Sequence, residues 1–62
     1  MSFSKNLEKL QKEAGVTNYR LAKDLDVHAS TVKNWKEGKM PLLEHAHKVA
    51  DYFGKTLDEM MR

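Results

Sequence analysis

The sequence predicts an all-α fold of five short helices around one small core. Apolar residues recur at spacings of three and four rather than two, so no segment reads as a strand. Gly15, Gly38, Gly54 and Pro41 cut the chain into helix-length pieces. Apolar residues make up 40% and charged residues 32%, which suits a soluble globule with a charged surface. Sixty-two residues are expected to form a single domain, 1–62. A chain of that size buries only about 60% of its unfolded surface, so its stability is modest.

The first helix is expected over Ser4–Ala14, with Phe3, Leu7 and Leu10 on its inner face and Gly15 as its stop. Thr17 caps a second helix that runs to about Leu25 and buries Leu21, Ala22 and Leu25. A third spans about Ala29–Glu37, with Val32 and Trp35 facing inward; at that spacing Trp35 is read as core rather than as a base-stacking ring. Pro41 suits the first turn of a fourth helix, about Pro41–Phe53, burying Leu42, Ala46, Val49, Ala50 and Phe53. Thr56-Leu57-Asp58-Glu59 reads as a capping box opening a last short helix that carries Leu57, Met60 and Met61.

Composition excludes several classes of function. No cysteine is present, so disulfides and thiolate metal sites are ruled out and a reducing, cytoplasmic setting is expected. No apolar run approaches the length of a membrane span or of a signal-peptide core. His45 and His47, two apart on a helix, splay about 200° from each other and cannot share one metal. No nucleophile–base pair or glycine-rich phosphate loop is visible, so neither an enzyme nor a cofactor or small-molecule substrate is expected. Net charge is +2, and the positive excess gathers at Lys33, Lys36 and Lys39, opposed locally only by Glu37. That is the electrostatic footprint expected of a phosphate-binding segment.

The informative feature lies between the second and third helices. Only Asp26-Val27-His28 separate them, so they meet at a steep angle with Val27 plugging the turn. Residues about 17–37 therefore form either a helix-turn-helix unit, whose second helix enters a DNA major groove, or a plain corner in a helical bundle.

A wider pattern points to the first reading. Phe3-x-x-x-Leu7-x-x-Leu10, Gly15-Val16-Thr17, Leu21-Ala22-x-x-Leu25-x-Val27, Ser30-Thr31-Val32-x-x-Trp35-x-x-Gly38 and Pro41 follow one another at fixed spacing. Leu43-Glu44, Val49-Ala50, Phe53-Gly54 and Thr56-Leu57-Asp58-Glu59 continue it without a gap. The ensemble resembles the phage-repressor (Cro/cI-type, or XRE-type) helix-turn-helix family. The resemblance implies a lambda-repressor-like five-helix fold, no catalysis, and transcriptional regulation by a homodimer on a two-fold symmetric double-stranded DNA operator. Four positions depart from the family pattern. Asp26 stands where a glycine is usual, His28 replaces a small hydroxyl cap, Asn18 replaces a glutamine, and Arg20 replaces an acidic residue.

Matched onto the motif, Ala29, Ser30, Lys33 and Asn34 are the candidate base-edge contacts. Asn34 suits adenine N6/N7, Lys33 guanine O6/N7 and Ala29 a thymine methyl. Candidate phosphate contacts are Asn18 at the second helix's positive N-terminus, with Arg20, His28, Thr31, Lys36, Lys39 and the backbone N–H groups around Gly38. Lys36 and Lys39 read equally as solubilising charges. Protonation of His28 would add a charge beside phosphate. Leu57, Met60 and Met61 either close the core or pair across a dimer axis. The competing functional reading is a protein-interaction module that keeps the fold and does not bind DNA.

Overall fold

Ser2 sets the first helix going: its backbone is extended and its hydroxyl accepts the Lys5 N–H at 3.3 Å. The computed structural model describes residues 2–62. Helix α1, Phe3–Ala14, buries Phe3, Leu7 and Gln11 along one stripe. Gly15 ends it in a left-handed conformation, φ 68°, with the Val16 N–H closing onto the Gln11 carbonyl at 2.9 Å.

Helix α2, Asn18–Leu25, is capped by Thr17, whose hydroxyl accepts the Arg20 N–H at 3.1 Å. It terminates at Asp26, φ 60° and ψ 45°, the one non-glycine with positive φ among the described residues. The Val27 N–H then returns to the Ala22 carbonyl at 3.0 Å, and Val27 packs half-buried against the core. Aspartate thus fills the left-handed position at a steric cost that glycine would not incur.

Helix α3, Ala29–Lys36, buries Val32 and Trp35. Trp35 is 3% exposed and stands edge-on to Phe3 with ring centroids 6.2 Å apart, so it is core. Helix α4, Leu43–Tyr52, begins later than the sequence suggests and buries Ala46, Val49 and Ala50. The expected Pro41 start and buried Leu42 are corrected. Leu42 is the extended N-cap, ψ 153°, and is 66% exposed. Pro41 lies two residues ahead of the helix, and Met40, Leu42 and Leu43 all face solvent, while His45 and Ala46 of the same first turn face Trp35 and the core.

Helix α5, Leu57–Met61, has the capping box its sequence promised. The Glu59 N–H donates to the Thr56 hydroxyl at 3.1 Å, and the Thr56 N–H donates to the Glu59 carboxylate at 2.8 Å. Its far end is held by a residue with no obvious signature. The Asn6 side-chain amide on α1 donates to the carbonyls of Met60, Arg62 and Glu59 at 2.7, 3.0 and 3.3 Å. These are orphan carbonyls of a helix terminus. Leu7, Leu21, Val32, Val49 and Met60, fully enclosed, knit all five helices into one cluster.

Candidate nucleic-acid interface

With Val32 and Trp35 buried, helical geometry turns the opposite side of α3 outward. Ala29, Ser30, Lys33 and Asn34 all lie exposed on that arc, so the four expected base-edge residues share one face. The N-terminus of α3 is also open. His28 is its N-cap but makes no side-chain capping bond. The Thr31 and Val32 N–H groups reach the His28 carbonyl at 2.9 and 3.4 Å, leaving those of Ala29 and Ser30 without an acceptor among the described residues. Free N–H groups at a helix start, with the positive end of the helix dipole behind them, suit an anion.

The start of α2 is built differently. Thr17 takes the Arg20 N–H, and the Leu21 N–H goes to the Thr17 carbonyl at 2.9 Å. The N–H groups of Asn18 and Tyr19 have no acceptor among the described residues. Beside them the Asn18 side-chain oxygen accepts from Gln11 of α1 at 3.0 Å and from the Lys36 ammonium of α3 at 3.2 Å. Two expected phosphate contacts, Asn18 and Lys36, are therefore in direct contact at the junction of three helices. Gln11 is a participant that sequence reasoning missed. It is 4% exposed on the stripe that otherwise carries Phe3 and Leu7, and a polar residue at a core position was the signal that could have found it.

Other expected contacts are distributed less simply. His28 and Lys39 are exposed near the two ends of α3, and Thr31 is half-buried. Arg20 is exposed but occupied: its guanidinium pairs with Asp24 one turn along at 3.0 Å. Asp24 also accepts the Tyr52 hydroxyl from the end of α4. The Tyr52 hydrogen bond, and then that of Arg20, hold the Asp24 carboxyl below the usual range, while the Tyr52 phenol is pushed up by donating to Asp24. Arg20 is thus engaged with Asp24, which Tyr52 of α4 also holds.

One expectation is corrected, at Gly38, and one of two readings left open, at Met60, is selected. The Gly38 N–H donates to the Trp35 carbonyl at 3.1 Å and the Lys39 N–H to that of Asn34 at 3.1 Å. The backbone around Gly38 is consumed in terminating α3 and offers no free donor there. Met60 is 1% exposed and closes the core, so it cannot line a dimer surface; Leu57 and Met61 keep partial exposure.

Two helices meeting through Asp26-Val27-His28, the second presenting a polar face between two open helix starts, define a helix-turn-helix DNA-binding fold. A family model described as helix-turn-helix matches residues 7–60, and the chain belongs to that family, of the phage-repressor (Cro/cI, XRE) type. DNA binding in transcription regulation is the function this membership carries. The comparisons with curated proteins and with solved structures found no match. Among the described residues, no helix is long and apolar enough to cross a membrane.

Proposed function

We propose that this chain is a sequence-specific regulator, a repressor of phage or bacterial type, that binds a two-fold symmetric operator as a homodimer in the cytoplasm. The observation that carries the reading is the exposed arc of Ala29, Ser30, Lys33 and Asn34 on α3, flanked by the Asn18–Lys36 contact. α3 lies in the major groove, where Asn34 and Lys33 read purine edges and Ala29 meets a thymine methyl. Asn18, Lys36, Lys39, His28 and Thr31 grip phosphates on either side; Arg20 joins them only by leaving Asp24. One half-site with four or five phosphate contacts is weak at physiological salt, since each adds about −0.9 to the slope of log K against log salt. A second copy on a half-site one helical turn away overcomes this, with Leu57 and Met61 as the candidate dimer edge.

Selection from random double-stranded DNA at about 50 and 200 mM salt tests the reading. Enrichment of a two-fold symmetric motif with a steep salt slope is the expected result. A protein-interaction module of the same fold is the competing reading, favoured by the exposed Met40, Leu42 and Leu43. No enrichment and no salt-dependent retention would leave that one standing.

A further inference from the structure

The Gln11–Asn18–Lys36 contact has a direction that the chemistry of its ends imposes. At one end is the Val16 carbonyl, which can only accept; it takes the Gln11 amide NH₂ at 3.3 Å. At the other is the Lys36 ammonium, which can only donate; it reaches the Asn18 side-chain oxygen at 3.2 Å. The Gln11 NH₂ joins the two ends by donating to the same Asn18 oxygen at 3.0 Å. Turning the Gln11 amide over would set its oxygen against the Val16 carbonyl. Turning the Asn18 amide over would set its NH₂ against two donors. Both amides are therefore fixed by groups that cannot reverse.

The consequence falls on the other half of the Asn18 amide. Its NH₂ makes no bond among the described residues and is not enclosed, and it belongs to the first residue of α2. An asparagine held this way shows a donor outward, the polarity a phosphate oxygen needs; reversed, it would show an acceptor. The arrangement has a visible cost. The Gln11 side-chain oxygen is buried with no hydrogen-bond partner, an arrangement that folding alone disfavours. A leucine would fill the same stripe of α1 without that penalty.

We infer that Gln11 is a positioning residue for DNA binding: by donating to the Asn18 oxygen from inside the core, it holds the Asn18 NH₂ outward as a phosphate donor. The inference rests on the reading of Asn18 as a phosphate contact. Gln11 itself never touches DNA.

Phosphate contacts are independent of sequence, so a short mixed-sequence duplex at low salt serves as the probe, with binding followed by fluorescence anisotropy and thermal stability recorded in parallel. Asn18→Ala should weaken binding about tenfold, and Gln11→Leu about threefold, without loss of thermal stability. In the Asn18→Ala background, Gln11→Leu should change binding no further, because its only route to DNA is gone. Asn18→Asp keeps the acceptor that Gln11 and Lys36 need but points a carboxylate at the phosphate. It should fold as well as the parent and bind worse than Asn18→Ala. Gln11→Leu leaving binding unchanged, or weakening it equally in both backgrounds, overturns the inference while leaving the Asn18 contact intact. Asn18→Ala binding as well as the parent overturns the contact itself, and the role of Gln11 with it.

Discussion

The starts of α3 and α5 solve the same problem in opposite ways. At α5, Thr56 and Glu59 satisfy each other's backbone donors in a closed box, and Asn6 gathers the carbonyls at the far end. At α3, the His28 side chain makes no cap, and only its carbonyl takes up N–H groups, those of Thr31 and Val32. A side-chain cap contributes about 1 kcal/mol, so its absence from α3 in a small domain is a real concession. Both helices leave their first two N–H groups without an acceptor among the described residues, so the two starts differ in the side-chain cap alone, which α5 has and α3 lacks.

The comparison can be broken most severely from beneath. Trp35→Ala removes the ring that seats α3 on Phe3 and His45, and should cost about 3–5 kcal/mol, enough to unfold most of the chain near room temperature by circular dichroism. One residue away on the exposed arc, Asn34→Ala should leave the melting temperature within a degree or so of the parent while weakening operator binding by about 1–3 kcal/mol. Stability loss from Asn34→Ala in a thermal melt would mean that the two faces of α3 are not separable.

Next come the caps themselves. Thr56→Ala should lower stability by about 1 kcal/mol in urea titration and leave DNA affinity untouched. His28→Ser, which gives α3 the hydroxyl it lacks, should raise stability by about 0.5–1 kcal/mol and weaken DNA binding, because the imidazole grip is lost and the new cap draws on an N–H group at the same helix start. A stabilised His28→Ser variant that binds DNA as tightly as the parent would remove the functional explanation for the open start.

The smallest effect is a pH dependence. Asp24, held low by Tyr52 and Arg20, and Glu59, held low by the backbone and hydroxyl of Thr56, both have carboxyls more acidic in the folded chain than in the unfolded one. Their contributions are present above the ordinary carboxylate values, about 3.9 and 4.3, and are lost as pH falls through the lower folded values. Asp24→Asn and Glu59→Gln should each flatten the acid limb of a stability profile slightly. Only Glu59→Gln should also loosen the start of α5, visible as faster amide exchange at Thr56.

Much of this was legible in the sequence because it depends on local chemistry. The capping box at Thr56 and Glu59, the Gly15 stop and the inward spacing of Val32 and Trp35 all follow from a residue and its near neighbours. The exposed positions of Ala29, Ser30, Lys33 and Asn34 follow from the same spacing. Element boundaries were less secure where only packing decides them: Leu42 has the spacing to continue α4's buried stripe, yet it is the extended N-cap and lies outside the helix, exposed.

By itself, then, the sequence determined the five helices, most of their buried faces and the corner that joins α2 to α3, since periodicity, caps and turn residues act over a few positions. Tertiary structure alone decided which donors were spent and which were free. The Gly38 and Lys39 N–H groups are consumed within their own turn, Arg20 is claimed by Asp24, which Tyr52 also holds, Met60 is sealed in the core, and Asn18 is oriented by Gln11 and Lys36. Hydrogen bonds are directional and short, so whether a polar group is available depends on what the fold brings within about 3 Å of it, and residues far apart in sequence supply many of those partners.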